Sequence, residues 1–134
     1  MTTQILIGAD PEVFVKRNGK HISAHGMVEG DKKNPFKVDK GAVQVDGMAL
    51  EFNIDPASTE EEFVDSIYSV MGTLQGMIED DIDVSPVAHF DREYMDSQPE
   101  EATELGCEPD WNAWTGEVNP TPNDKELFRT GAGH

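Results

Sequence analysis

The sequence predicts an α+β fold in which an antiparallel sheet built from two hairpins carries one long helix. Two dipeptides that favour tight hairpin turns, Asn18-Gly19 and Asp46-Gly47, each lie between short apolar, β-branched segments. One long segment with helical periodicity follows them, and strands followed by a helix are typical of α+β proteins. At 134 residues the chain is long enough for one domain with a core and short for two, so 1–134 is predicted to be a single domain.

The first hairpin is predicted to join a strand at 12–17 to a strand at 20–24. Another strand at 4–8 precedes it and ends in a kink at Ala9-Asp10-Pro11, because proline has no amide hydrogen to donate to a sheet. The second hairpin is predicted to join 43–45 to 48–54 through the Asp46-Gly47 turn.

The helix is predicted over about 59–80. Ser58 and Thr59, followed by Glu61 and Glu62, form a capping box, and acidic residues in the first turn are favoured by the helix dipole. Apolar residues then recur with helical spacing and should pack on the sheet. This stripe is Phe63, Ile67, Val70, Met71, Leu74, Met77 and Ile78.

The remaining segments carry weaker signals. A long loop is predicted at 25–41, and strands are predicted at 84–90, which Pro86 interrupts, and at 126–130. The segment 91–123 is predicted to be irregular and to need large side chains as anchors. The available anchors are Tyr94, Leu105, Cys107, Trp111 and Trp114.

The net charge of −17 argues against binding to nucleic acid phosphates and requires that an anionic ligand arrive with metal ions. The lone Cys107 cannot form an internal disulfide, and the sequence has neither a secretory leader pattern nor an apolar run of membrane-spanning length. We therefore predict a soluble cytoplasmic protein without a membrane partner. The acidity also leaves open an interaction surface or a mimic of nucleic acid.

The most informative stretch for chemistry is 46–55. Strand alternation places Glu51 and Asn53 on the same face, with side chains about 7 Å apart, so that their oxygens could ligate a hard cation or a polar substrate. If Glu12 lies on a neighbouring strand with its side chain on that face, the sheet presents a carboxylate cluster whose repulsion a divalent cation would relieve. Oxygen ligands favour Mg²⁺ or Mn²⁺. Asp10 could join them.

Simpler interpretations stay open for each residue: a half-solvated strand for Glu12, Glu51 and Asn53, and a turn-forming role for Asp10. The four histidines lack the paired spacing of a zinc site. Cys107 is more typical of a small buried apolar residue than of a nucleophile. Phosphate-binding and dinucleotide-binding glycine motifs are not found.

Five motifs in order give the chain a resemblance to a known family. They are Gly8-Ala-Asp-Pro-Glu-Val-Phe-Val, Asp46-Gly-Met-Ala-Leu-Glu-Phe-Asn-Ile-Asp-Pro-Ala, Leu105-Gly-Cys-Glu-Pro-Asp-Trp-Asn-Ala-Trp, Asn119-Pro and Arg129-Thr-Gly-Ala-Gly-His. Together they resemble the tailed-phage amidoligases, a family of predicted carboxyl-to-amine ligases related to glutamate-cysteine ligase and glutamine synthetase.

The resemblance implies an ATP-dependent ligase on a glutamine-synthetase-like sheet, acting in the host cytoplasm. A substrate carboxylate would be activated as an acyl-phosphate and an amine would then displace phosphate, with Mg²⁺ or Mn²⁺ neutralising charge. It further implies that Glu12 and Glu51, with Asn53 and Asp10 beside them, hold metal. Arg129 would contact a phosphate or carboxylate of ATP or substrate, and His134 would be catalytic.

The family motif continues past its first histidine into a His-x-His strand and roughly half a domain more, whereas this sequence ends at His134. The resemblance therefore implies the N-terminal, incomplete portion of a ligase, with an exposed strand edge that a complementing C-terminal chain or a homo-oligomer would cover. The substrates would be small-molecule or peptide carboxylates and amines. A non-catalytic acidic interaction domain and a metal-dependent hydrolase are the alternatives.

Overall fold

Strands β1 (Glu12–Arg17) and β2 (Lys20–Ile22) form the first hairpin of the computed structural model, which describes residues 3–85, 87–103 and 110–120. Asn18 and Gly19 at its turn have φ angles of 52° and 77°. Positive φ at both positions is what a two-residue turn needs to match the twist of the strands. The predicted Asn-Gly turn therefore sets the register of this hairpin.

Strands β3 (Phe36–Val38), β4 (Gly41–Asp46) and β5 (Ala49–Ile54) form an antiparallel meander. Its second turn lies at Gly47 and Met48, one residue later than the predicted Asp-Gly pair, so that Asp46 is the last residue of β4 and pairs with Ala49. β3 lies within the segment 25–41, which was predicted to be a loop. Only three residues long, β3 is defined by its pairing with β4, which the local sequence does not encode.

The main sheet has the strand order β2-β1-β5-β4-β3, and β6 (Asp81–Asp83) pairs with β1. β6 precedes the strand that was predicted at 84–90, which is not formed in the described residues of that range. β6 continues along the same edge of β1 where β5 ends. The amide of Ser85 then donates to Oδ1 of Asp83, and the chain leaves the sheet. The predicted strand at 4–8 is reduced to a single bridge between Ile7 and Ala57.

Helix α1 (Glu60–Met77) lies within the predicted range and is capped as predicted. The amide of Glu62 donates to Oγ1 of Thr59, and the Glu62 carboxylate accepts from the amide and hydroxyl of Ser58. The helix ends at Met77 because Ile78 is extended. The Gln75 side chain then bridges the Asp80 carbonyl and the Ile82 amide, which leads the chain into β6.

The two faces of the sheet bury different apolar clusters. On the face that α1 covers, Val70 and Leu74 of the helix pack against β1, β4 and β5 in a core that includes Val13, Val15, Val43, Leu50, Phe52 and Ile54. On the opposite face, the segment 88–102 covers part of the sheet with a second cluster: Phe14, Met48, Ala49, Ala88, Phe90, Met95 and Ala102. This arrangement confirms the predicted α+β fold with an antiparallel sheet and a packing helix.

The segment 91–123, predicted to be irregular, contains two short helices and a small hairpin in its described part. They are α2 (Arg92–Ser97), α3 (Glu100–Thr103), β7 (Trp111–Asn112) and β8 (Glu117–Val118). Asp91 directly precedes α2, and Pro99 directly precedes α3. Both residue types are typical of helix starts, but in a segment so rich in polar residues and proline they were not recognised. In the described ranges, no helix is long and apolar enough to cross a membrane.

Of the five residues predicted to anchor this segment, Tyr94 does so. Its hydroxyl accepts from the amide of Ser23 at 2.6 Å, and its ring stacks on Phe90 with centroids 6.1 Å apart. Trp111 and Trp114 were wrongly predicted as anchors, since they are 67% and 96% exposed. The other two, Leu105 and Cys107, and the strand predicted at 126–130 lie outside the described residues.

Candidate functional site

The candidate site lies on the face of the sheet opposite α1. Glu12 of β1 pairs directly with Glu51 of β5, and Gln44 of β4 pairs with Glu51 from the other side. Residues that face one another across neighbouring strands share a face and lie about 5 Å apart at Cβ. Three neighbouring strands therefore carry a row of polar side chains, with Glu51 in its centre.

Three carboxylates converge at this row. One oxygen from each of Glu12, Asp46 and Glu51 can be chosen so that all lie within 4.8 Å of one another, and all three residues are half-buried. Two oxygens bound to one Mg²⁺ at about 2.1 Å lie about 3–4 Å apart, and larger cations allow more. The chemistry of the donor set fits a hard divalent cation, around which the three oxygens would draw closer together.

The neighbours of Glu51 disfavour its charged form. Burial is the main cause, and the negative charges of Glu12, Asp46 and Asp10 add to it, so that the pKa of Glu51 is raised to about 7. The nearby ammonium of Lys32 acts in the opposite direction and lowers this pKa. Near neutral pH, Glu51 without a bound cation is therefore a carboxyl group poised between its protonated and ionised forms.

Gln44 supports Glu51 from β4. It is buried, and its Nε2 donates to Oε2 of Glu51 at 3.2 Å. The second carboxylate oxygen of Glu51 and the remaining lone pairs stay available for a ligand. A hydrogen bond from a buried amide holds the carboxylate in one orientation, as outer-shell partners of metal ligands do.

The segment 24–34 borders the carboxylates. It is tied to the sheet by the amide of Ala24, which donates to the Met48 carbonyl, and by the Gly30 carbonyl, which accepts from the amide of Val45. A cavity of about 370 Å³ lies between this segment and the turn after β4, with both Lys32 and Asp46 in its wall. Residues 25–34 were predicted only as part of a loop, and their part in the site was missed.

Of the four residues predicted to bind metal, Glu12 and Glu51 lie among the three converging carboxylates. Glu12 and Glu51 are cross-strand neighbours, which meets the condition set for a carboxylate cluster. Asn53 pairs with Ala42, one row further along the sheet, on the same face as Glu51. Asp10 is exposed and is not among the three converging carboxylates, although its charge acts on Glu51.

Sequence reasoning missed Asp46 because the Asp-Gly pair was assigned to the turn. A signal was present, since Asp46 and Gln44 alternate along β4 as Glu51 and Asn53 do along β5. Arg129 and His134, predicted to contact phosphate and to act in catalysis, lie outside the described residues.

A second polar group occupies the far end of β1 on the same face. Nε2 of His21 lies 2.6 Å from Oδ2 of Asp83, Nδ1 of His21 accepts from the amide of His89, and Lys16 forms an ion pair with Asp83 at 3.3 Å. Burial alone would raise the pKa of Asp83, but the amide of Ser85, His21 and Lys16 outweigh it and hold the pKa below its usual value. Both ring nitrogens of His21 are engaged, so this group joins β1, β2 and β6.

Comparisons of the chain with protein-family models, with curated proteins and with solved structures return no match.

Proposed function

We propose that this chain is a metal-dependent carboxylate–amine ligase, or the metal-binding portion of one, with its cation site at Glu12, Asp46 and Glu51. The observation that carries the proposal is the convergence of these three carboxylates within 4.8 Å. Like charges held this closely on a half-buried surface repel one another, and a divalent cation removes that repulsion.

The ligase assignment rests on the motifs around these residues, which resemble those of the tailed-phage amidoligases. Such a ligase needs a cation to neutralise the phosphates of ATP and the charge that develops during phosphoryl transfer. A chain with a net charge of −17 has a further need for it, because the nucleotide must approach a strongly negative surface.

The residues of the chain take distinct roles in this proposal. Glu12, Asp46 and Glu51 hold Mg²⁺ or Mn²⁺, and Gln44 orients Glu51 through its amide. Asp10 contributes negative charge from the edge of the site. Arg129 and His134 keep the roles implied by the family motif, contact with a phosphate or carboxylate and catalysis. The glutamine-synthetase-like sheet and the complementing chain or second copy belong to the same proposal.

Binding of Mn²⁺ tests the proposal directly. The full chain titrated with Mn²⁺ and monitored by electron paramagnetic resonance should bind one ion, and Glu51→Gln should weaken that binding about tenfold or more. Glu61→Gln is the matched control, since it removes the same charge from the exposed first turn of α1. Equal affinities for the two variants would contradict the proposed site.

A titration with ATP in saturating Mg²⁺ then separates a ligase from a metal site of another kind. The ligase proposal expects ATP binding that requires Mg²⁺ and is lost in Glu51→Gln. If Mn²⁺ binds but ATP does not, the hydrolase alternative is favoured for this site.

The second candidate is a non-catalytic acidic interaction domain. It is favoured by the charge of −17 and by Trp111 and Trp114, which are exposed on a small hairpin. This candidate predicts that neither Mn²⁺ nor ATP binds with measurable affinity, and that adding metal does not change the effect of Glu51→Gln on thermal stability.

A further inference from the structure

We infer that residues 4–8, here called the edge segment, are the docking site for a second copy of this chain, whose own edge segment pairs with them as an antiparallel strand. The proposed function calls for a complementing chain or a second copy but assigns it no place. The edge and its occupant go beyond that proposal, and they depend on neither the cation site nor the ligase assignment.

The edge segment is paired on one side and open on the other. The Ile7 amide donates to the Ala57 carbonyl at 2.9 Å, and the Ile7 carbonyl accepts from the Ala57 amide at 2.8 Å. Backbone groups alternate in direction along a strand, so those of Gln4, Leu6 and Gly8 point away from Ala57. In the described ranges, the backbone of these three residues forms no hydrogen bond, and on that side of the sheet β2 pairs only with the far part of β1. This side is therefore open to another extended segment.

The side chains of the edge segment are apolar and exposed. Ile5, Leu6 and Ile7 have 71%, 55% and 57% of their surface exposed to solvent. Ile7 also lines an open cavity of about 250 Å³, together with Ala57 and with Phe63 of α1. An apolar stretch with this exposure beside an unpaired backbone edge is typical of a surface that pairs with another chain.

The edge segment is complementary to itself. A two-fold axis at Leu6 would place Leu6 opposite its own copy, Gln4 opposite Gly8, and Ile5 opposite Ile7. The outward backbone groups of Gln4, Leu6 and Gly8 would then be hydrogen-bonded across the axis. Each Ile5 would pack beside an Ile7 of the other copy, and such β-branched neighbours stabilise a sheet. A second copy thus fits both the backbone and the side chains, and it completes the strand that the sequence predicts here.

The distribution of charge also favours this edge as a contact between copies. Two chains with a net charge of −17 each repel one another, so they can approach only where charge is sparse. Residues 1–9 carry no charged side chain, although 28% of all residues are charged. Asp10 and Glu60 flank the edge, and salt screens their repulsion between copies. Association should therefore strengthen as the ionic strength rises.

Sedimentation equilibrium of the chain tests this association. At physiological salt the wild type should change from monomer to dimer between about 5 and 500 µM, as expected of a short, transient interface. Ile5→Asp should weaken the dimer about tenfold or more, because it places a charge between the paired segments. Val84→Asp is the matched control, since Val84 is 69% exposed and follows β6 at the far end of β1. It adds the same charge and should leave the dimer within about twofold of the wild type.

Disulfide cross-linking tests the register in a Cys107→Ser background. Leu6→Cys would place two thiols directly opposite each other, with Cα atoms about 5.5 Å apart, which a disulfide can span. Gln4→Cys would place them about 14 Å apart, because each Gln4 is four residues away from its copy along the paired strands. Under mild oxidation the first variant should form a disulfide-linked dimer, and the second should not.

The inference is overturned if the wild type stays monomeric over this range of concentration, if Ile5→Asp dimerises as the wild type does, or if Val84→Asp weakens the dimer as much. Equal cross-linking of Leu6→Cys and Gln4→Cys would overturn the proposed pairing as well. These results would leave the proposed cation site standing, because Mn²⁺ binding is measured separately. Conversely, Glu51→Gln should dimerise as the wild type does, so failure of the cation site would leave the docking edge standing.

Discussion

Glu12 and Glu51 face each other across the antiparallel pair of β1 and β5, two carboxylates in directly opposed positions of a sheet. Like charges in this arrangement destabilise the strands that carry them. Asp46 adds a third carboxylate to the pair. Binding of a divalent cation at these three carboxylates would relieve the repulsion and thereby stabilise the chain.

The first prediction concerns pH. The pKa of Glu51 is raised from 4.5 to about 7, so the folded state favours the protonated form more than the unfolded state does. The contribution of Glu51 to stability is therefore fully present below about pH 4.5 and is lost as the pH rises to about 7. Urea unfolding in the presence of a chelator measures the free energy of unfolding at each pH. Over this pH range it should fall more for the wild type than for Glu51→Gln. A difference between the two proteins that does not change between pH 5 and pH 8 would contradict it.

The second prediction concerns thermal stability with and without metal. At pH 8 in a chelator, Glu51→Gln should raise Tm by a few degrees, because a buried charge and its repulsion are removed. In millimolar Mn²⁺ the order should reverse, since the wild type gains binding free energy that the variant lacks. Differential scanning fluorimetry measures both values, with Glu61→Gln as the control for charge. A rise in Tm that persists in Mn²⁺ would show that Glu51 is not a ligand.

The third prediction concerns Gly30. A methyl group at this position would clash with the Val43 carbonyl in a backbone conformation that L-residues rarely adopt. Gly30→Ala should therefore lower the free energy of unfolding by about 2 kcal/mol or more and weaken binding at the cavity that this segment borders. Gly72→Ala, where the added methyl group meets no atom within 4 Å, should instead stabilise α1 by up to about 1 kcal/mol. Denaturant unfolding compares the two variants, and similar effects would contradict the fit at Gly30.

The fourth prediction concerns the core between α1 and the sheet. Leu74 is fully buried in the cluster that joins the helix to β1, β4 and β5, so Leu74→Ala should cost about 2–5 kcal/mol. Tyr68 lies on the same helix but is 69% exposed, and Tyr68→Ala should change stability by about 0.5 kcal/mol or less. Urea unfolding of the two variants measures this contrast, and a large effect at Tyr68 would indicate that this face of the helix is covered.

The fifth prediction concerns the polar group at the far end of β1. Asp83→Asn removes the negative charge that pairs with His21 and Lys16, and should destabilise the chain by about 1–2 kcal/mol at pH 7. Because the pKa of Asp83 is lowered, its contribution should be present at neutral pH and should be lost as the pH falls below the usual carboxyl range. Unfolding at pH 7 and at pH 3 checks both statements. Mn²⁺ binding should be unaffected, since this group lies apart from the three carboxylates.

Features set by neighbouring residues were predictable from the sequence. The Asn18-Gly19 turn and the cap at Thr59 need only a few adjacent positions, and both occur where they were predicted. Glu12 and Glu51 were predicted to share a face if their strands paired, which they do. Whether those strands pair could not be predicted, because the local pattern does not fix which strands are neighbours.

Features set by long-range pairing were not predictable. β3 forms because β4 offers an edge, and β6 forms at Asp81–Asp83, a charged stretch, because β1 extends beyond β5. Asp46 joins the site only once the register between β4 and β5 is known, and the turn shifts by one residue to allow it. The exposure of Trp111 and Trp114 reverses the expectation from their size, since large aromatic residues are more often buried.

The alternation along β5 has a consequence for the evolution of this chain. Leu50, Phe52 and Ile54 are buried against α1, while Glu51 sits between them on the other face. Inserting or deleting one residue within this strand would exchange the two sets, turning the carboxylate into the core and the apolar side chains outward. Length changes should therefore be tolerated in the loops of homologous chains but strongly selected against within β5, even where single substitutions are accepted.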